Sequence, residues 1–378
     1  MALGRLITPQ DVGLPLVKNF LALKRKMNRI TTGLPGGSRV VIGFAGDSLT
    51  AGQGGGPNAE DYEGSKPYSH PVQSARLMPA SYKATVDNFF GNQRWGSASP
   101  TTAITTQYDA KMTFAGSGWS WRDDQKSIGA ALLQNSSTTD TFTYTPEKAF
   151  NAVDILLVRA STHGTLTVNF GGATLATYNS QNASTDVQKI TVTSGGTAAL
   201  GTINIQRNGT GGRIWIIGLI AYDTANPAVH FCNMGWAGAR ASDWEVSSSP
   251  YAPALAMAAL QPDAIVYFIG SNGMDTIPAA TYKASVRAFM VSNPNSAFIL
   301  GIEPPQAASR DPLGVTAAYD AAMYELALER GAGLIDLRTR YGSWSLIQAA
   351  GMNQDATVHL KAEMYRDWAQ ANVNLLIG

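Results

Sequence analysis

The stretch Arg39-Val40-Val41-Ile42-Gly43-Phe44-Ala45, running into Gly46-Asp47-Ser48-Leu49-Thr50, decides how this chain is read. A near-continuous apolar, β-rich run is what a strand buried on both faces of a parallel sheet looks like. Its end places the Ser48 hydroxyl on the turn at the C-terminal edge of that strand. In open α/β sheets ligands bind at this edge. The glycines of Gly52-Gln53-Gly54-Gly55-Gly56 keep side chains away from that turn, so another group can approach the backbone closely. The order Ser48-Leu49-Thr50 is not the Gly-x-Ser-x-Gly elbow of α/β-hydrolases.

Outward from this strand, the pattern changes twice. Ser69 to Met78 reads as a helix with Pro71 in its first turn. Gly91 to Gly118 is weakly patterned. A dense series of short strands follows: 141–144, 154–158, 165–170, 189–193, 202–205 and 213–217. They are separated by Gly171-Gly172, Ser194-Gly195-Gly196 and Asn208-Gly209. Short strands at this spacing with Gly/Asn turns indicate a β-sandwich. After Tyr222 the alternation of strand and helix resumes. Strands are expected at 264–269, 298–302 and 333–337, and helices at 280–291, 317–330 and 362–374. A βαβ series implies a parallel sheet. The expectation is therefore an α/β domain over 36–109 and 224–378, interrupted by a jelly-roll-like β-sandwich over 110–223, with a helical segment over 1–35. An insertion that re-enters the sheet just before His230 is expected to lie beside the Ser48 edge and to form one wall of a cleft there.

Composition narrows the partners. A chain of 378 residues suggests two domains at roughly 150 residues each. A net charge of +1 with 15% charged residues gives no electrostatic footprint for nucleic acid or an anionic membrane surface. The single Cys232 excludes an internal disulfide and a cysteine-based metal cluster. His70, His163, His230 and His359 are too scattered to suggest a metal site, so neither metal nor cofactor is expected. No apolar run reaches the 18 residues of a membrane span, and no secretory signal is read at the N-terminus. The polar, weakly charged composition favours an extracellular or particle-borne setting. Pro15 to Arg29 forms an amphipathic pattern, expected either to pack on its own domain or to dock the chain to a larger assembly.

Four short blocks stand at expected strand ends or just before the closing helix. They are Gly46-Asp47-Ser48-Leu49, Asn233-Met234-Gly235-Trp236-Ala237-Gly238, Gly270-Ser271-Asn272-Gly273 and Asp355-Ala356-Thr357-Val358-His359. In this order they resemble the SGNH (GDSL) hydrolases, over residues 38–60 and 229–378. The resemblance implies a three-layer α/β/α, flavodoxin-like fold and a serine esterase. Ser48 would be the nucleophile and His359 its base, with Asp355 holding the far imidazole nitrogen. The oxyanion would rest on the backbone N–H groups of Ser48 and Gly238 and on the Asn272 amide. The family's spacing from Asn233 selects Gly238 over Gly235. Trp236 and Asp47 are expected beside the substrate.

This chain departs from the family in two places. The acid usually stands three residues before the histidine, but here Ala356 holds that place and Asp355 lies four before. Either Asp355 reaches His359 through a wider turn, or a Ser-His dyad works with a backbone carbonyl, and Asp355→Ala is expected to be milder than His359→Ala. The third block lacks the family's Asp after Asn272, with Asp275 as a possible stand-in. Among family activities, an inserted sandwich and no long apolar lid favour an O-acetylesterase acting on a polysaccharide, of the bacterial or phage-tail kind. A lipase or thioesterase of short acyl esters is one alternative. A glycan-binding particle protein with a decayed site is the other. Trp119, Trp121, Tyr178 and Trp236 are candidates to stack on sugars or to pack a core.

Overall fold

In the computed structural model, residues 18–34, 37–56, 66–91, 102–103, 109–209, 211–245 and 249–378 are described. Pro15 to Val17 of the expected first helix, and most of the weakly patterned stretch after Gly91, lie outside them.

Strand β1 (Val40–Gly46) is buried along its whole length because strands pair with it on both sides. Strand β2 (Val229–Asn233) pairs parallel on one side of it and β3 (Ala264–Phe268) on the other. Strands β4 (Ala297–Ile302) and β5 (Gly333–Asp336) continue the parallel sheet, giving the order β2-β1-β3-β4-β5. This is the flavodoxin-like order, whose crevice opens where the winding reverses, between β1 and β3. Ser48 begins the turn directly after β1.

The two-residue period of a strand divides β1 between two cores. Val40, Ile42 and Phe44 face a layer containing helix α1 (Lys18–Thr32) and the closing helix Ala362–Ile377. Val41 and Ala45 face the layer holding helices Pro253–Leu260, Ala279–Ser292 and Thr316–Arg330. Helix α1 buries Phe20, Leu23, Met27 and Ile30 against its own sheet. Lys24 donates to the carbonyls of Leu375 and Leu376, tying α1 to the end of the chain. Its apolar stripe is therefore spent on its own domain.

The insertion is a sandwich of two antiparallel sheets. One has five strands, in the order 173–179, 165–170, 203–208, 141–144 and 112–115. The other runs 186–193, 152–159, 214–222, 130–135, 119–127 and 102–103, with Asn88–Phe90 also pairing with 214–222. Sheet pairing thus begins ahead of residue 110. Between the sheets, Phe142, Tyr144, Leu166 and Val168 meet Trp119, Trp121, Leu133 and Ile155. Trp119 and Trp121 are each 2% exposed, so the core takes them and not a sugar. Tyr178 is partly buried, and its hydroxyl bonds Gln188.

The larger sheet also buries its outer face. Leu132, Leu156, Val158, Ile217 and Ile220 join the same core as Cys232, Met257 and Leu260. That double burial explains the unbroken apolar run of 155–158. It also fixes an expected result. Replacing 110–223 by a short Gly-Ser linker strips helix Pro253–Leu260 of the strands it packs on. Each large side chain uncovered forfeits about 1.5–3 kcal/mol. The deletion variant is expected to lose cooperative unfolding, followed by circular dichroism on heating. A wild-type melting midpoint in that variant would show the two cores to be independent.

Candidate active site

Asp47 caps the four-residue helix Ser48–Ala51, its Oδ1 accepting the Leu49 N–H at 2.9 Å. This turn lifts Ser48 to the sheet edge, where it lines a cavity of about 360 Å³. His359 lines the same cavity, and its Nε2 stands 3.1 Å from Ser48 Oγ. On the other side of the ring, Nδ1 meets Asp355 Oδ2 at 2.5 Å. The three groups form one hydrogen-bonded chain. Such a chain holds the imidazole with its unprotonated nitrogen towards the hydroxyl.

The four-residue spacing works because the other oxygen of Asp355 organises the turn. Asp355 Oδ1 accepts N–H bonds from Thr357 at 2.8 Å, Val358 at 2.7 Å and His359 at 3.1 Å. These bonds wrap 355–359 into a wider turn that points Oδ2 at the ring. Partial burial would raise the Asp355 carboxyl, but the bond to His359 and the backbone donors outweigh it and hold it well below the usual carboxylate range. The close approach of the first block is also built in. A Cβ at Gly54 would stand 2.8 Å from the Cβ of His359, so only glycine lets the two loops meet.

The second block divides its glycines by role. A Cβ at Gly235 would stand 2.3 Å from the Ala51 nitrogen, so Gly235 serves packing against the Ser48 helix. Gly238 lines the cavity. The backbone N–H groups of Ser48 and Gly238 have no hydrogen-bond acceptor among the described residues. Two unspent donors beside a hydroxyl are what a developing oxyanion requires.

Asn272 also lines the cavity, and its amide is held from every side. Arg310 Nη2 donates to Oδ1 at 3.2 Å, which fixes which end is oxygen. The Nδ2 donates to Asp47 Oδ2 and to the Ala239 carbonyl, both at 3.2 Å. Arg240 Nε donates to the Asn272 carbonyl at 2.9 Å.

Two expected substrate contacts lie elsewhere. Trp236 is 7% exposed in the core, with the Lys126 ammonium 5.3 Å from its ring centroid, and it is not among the cavity's lining residues. Asp47 is 0% exposed, because its carboxyl spends itself on Leu49 and Asn272 and cannot reach a ligand. The sandwich does not form a cavity wall among the described residues. It instead braces the second block: Gly129 N–H donates to the Met234 carbonyl at 3.0 Å, and Lys126 covers Trp236. Asp275 lines the cavity without touching Asn272, whose missing neighbour is replaced by Asp47 and Arg310.

Sequence reasoning missed Gln53, Arg240, Arg310 and Thr357 in the cavity lining, and Glu303 behind it. Glu303 stands just after β4, so the strand-end rule that singles out Ser48 would have found it. Arg240 caps one single-turn 3-10 helix and Arg310 ends another, elements too short to leave a signal in the sequence. The remaining histidines are structural. His70 stacks on Trp368 at 4.0 Å between centroids, and burial pushes its imidazole well below the usual histidine range. Burial likewise takes His230 down to about 3.

No protein-family model matches the chain, and no curated protein does. Among solved structures, one described as a peptidoglycan O-acetylesterase superposes over 94% of this chain and 94% of its own, with a TM-score of 0.66 at 16% identity. A family two carbohydrate esterase from Cellvibrio japonicus covers 73% of this chain and 96% of its own, at 13% identity and a TM-score of 0.29. A lipase/acylhydrolase from Enterococcus faecalis covers 40% of this chain and 77% of its own, at 18% identity and a TM-score of 0.33. The first likeness spans the sandwich as well as the parallel sheet. The chain has the SGNH-hydrolase fold with an inserted β-sandwich.

Proposed function

We propose that this protein is a serine esterase that removes O-acetyl groups from a polysaccharide. The observation that carries the reading is the chain Ser48 Oγ, His359 Nε2, His359 Nδ1, Asp355 Oδ2, beside two backbone N–H groups with no acceptor among the described residues. Ser48 Oγ attacks the ester carbonyl while His359 takes its proton. The oxyanion rests on the N–H groups of Ser48 and Gly238, and Asn272 becomes a third donor once Nδ2 releases Asp47 or the Ala239 carbonyl, which take both of its N–H groups in the resting site. His359 returns the proton to the departing sugar oxygen, leaving an acetylated Ser48. Water, deprotonated by His359, then releases acetate.

The cavity lining supports a small acyl group on a polar alcohol. Apart from Gly238, its uncharged apolar members are Ala237 and Val358, against Gln53, Arg240, Asn272, Asp275, Arg310 and Thr357. Among the described residues, nothing there offers a long acyl chain an apolar bed. The name of the well-superposed neighbour, a peptidoglycan O-acetylesterase, points the same way.

A chain-length series of p-nitrophenyl esters tests this. With each added methylene worth about 0.8 kcal/mol only where an apolar bed receives it, kcat/KM is expected to be highest for acetate and to fall from butyrate onward, unaffected by EDTA. A maximum at octanoate would identify a lipase instead. Acetate release from acetylated polysaccharides, followed by an enzyme-coupled assay, then identifies the glycan.

A further inference from the structure

Directly behind the Asn272 amide, two carboxyl groups are buried against one another. Asp47 is 0% exposed and Glu303 is 2% exposed. They follow β1 and β4, on either side of the third block. Glu303 Oε2 is doubly bonded to Ser271, accepting its N–H at 2.7 Å and its hydroxyl at 2.6 Å. Glu303 Oε1 has no donor among the described residues, although it is fully enclosed. Asp47 is tied to Asn272 and Glu303 to the adjacent Ser271, which brings the two buried carboxyls together behind one loop. Neither acid forms a salt bridge among the described residues. The charged and titratable groups around the pair are Arg310, Arg338, Tyr267, Tyr282 and Tyr365.

Two ionised carboxylates side by side, out of water, with Arg310 and Arg338 near but in no salt bridge to either among the described residues, repel each other and each carries the cost of desolvation. One proton between them removes the repulsion and one of the two desolvation costs, and it can supply the donor that Glu303 Oε1 lacks. The two bonds from Ser271 stabilise charge on Glu303, so the proton belongs on Asp47. Burial and the neighbouring Glu303 both push the Asp47 carboxyl well above the usual range, and burial raises Glu303.

We infer that Asp47 and Glu303 share one proton at neutral pH, with Asp47 donating to Glu303, and that this pair is the positioning device that keeps the Asn272 amide available to the oxyanion. The kinetic half of this inference rests on the esterase reading, and the proton itself does not. An ionised Asp47 would hold Asn272 Nδ2–H in a charge-assisted bond, about twice as strong as a neutral one. It would also put a negative charge one amide away from the oxyanion. A protonated Asp47 does neither.

Infrared spectroscopy of the full chain at neutral pH reads the proton without any substitution. A carbonyl stretch of an un-ionised carboxylic acid is expected, shifted when aspartate is labelled with ¹³C and absent in Asp47→Asn. No such band in wild type, or a band that ignores the aspartate label, overturns the inference. Kinetics read its role. Asp47→Ala is expected to lower kcat by about 10²-fold with KM little changed, as for loss of one oxyanion donor, and Asp47→Asn to recover about tenfold of that. The wild-type rate should fall at alkaline pH as the proton leaves, in a limb absent from Asp47→Asn. Equal kcat in the Ala and Asn variants, both folded, overturns the positioning role. A labelled band in a protein that hydrolyses no ester would leave the shared proton standing and refute the esterase reading. Ester turnover with no band would do the reverse.

Discussion

Ser48→Ala and His359→Ala are each expected to remove nearly all turnover of p-nitrophenyl acetate, with the double variant hardly worse than either. Ser48 Oγ and His359 Nε2 stand 3.1 Å apart in one hydrogen-bonded chain, so each is idle without the other. A hydroxyl without its base remains a poor nucleophile, and a base without the hydroxyl has nothing to activate. Residues that act as one unit give losses that do not add. Each single loss is expected to be on the order of 10⁴–10⁶ in kcat, at least about 5 kcal/mol of barrier. Ser48 is 6% exposed and its hydroxyl bonds only His359 among the described residues, so Ser48→Ala should keep its melting temperature. A single variant that kept more than about a tenth of the wild-type rate, a loss below roughly 1.4 kcal/mol, would put the chemistry elsewhere. Losses that multiply in the double variant would mean that the two residues act separately.

The parts of the fold and site that the sequence made legible are those set by short-range pattern. β1 announces itself because a strand paired on both sides is apolar throughout, and the turn after it is marked by Gly46-Asp47-Ser48. The helix at 279–292 and the strands at 141–144 and 165–170 follow from periodicity and turn residues within one element. What stayed hidden depends on contacts between distant segments. Trp119 and Trp121 lie two apart and so share one face, but which face is buried is decided by the sheet carrying Phe142 and Tyr144. The sandwich looked separable because its strands read as a unit. Its larger sheet in fact buries its outer side on helix Pro253–Leu260, whose Pro-Ala-Leu-Ala-Met-Ala-Ala-Leu sequence has too little amphipathic contrast to signal a helix. The local sequence shows that an acid precedes Ser48 and can order its turn, which Asp47 does by capping Leu49, but not what else the acid meets. Its true partners, Asn272 and Glu303, come from 225 residues away and beyond.

Asp355 is where the geometry changes the expected result most. From spacing alone, Asp355→Ala should have been mild. With Oδ2 at 2.5 Å from His359 Nδ1, it is expected to cost about 10⁴ in kcat, close to His359→Ala. Asp355→Ala does two kinds of damage, and Asp355→Asn separates them. Alanine removes the acceptor that three backbone N–H groups share, so the 355–359 turn loosens, at a cost of roughly 1–3 kcal/mol. Asparagine keeps a carbonyl oxygen for those N–H groups but turns an amide N–H towards the ring. His359 Nδ1 must then accept, its proton moves to Nε2, and the base facing Ser48 is lost. Asp355→Asn is therefore expected to be as inactive as Asp355→Ala while melting between it and wild type near neutral pH. The pH dependence of stability gives the sign. The folded-state carboxyl of Asp355 is held below its unfolded value, so its contribution is present above the unfolded pKa of about 3.9 and is lost as pH falls through the folded one. The stability gap between wild type and Asp355→Ala, measured by urea unfolding, should therefore be widest above about pH 5 and shrink steadily below about pH 4. A gap that stayed constant across that window, or an Asp355→Asn variant with more than about a tenth of the wild-type rate, would show that Asp355 neither holds the turn as an anion nor sets the tautomer of His359.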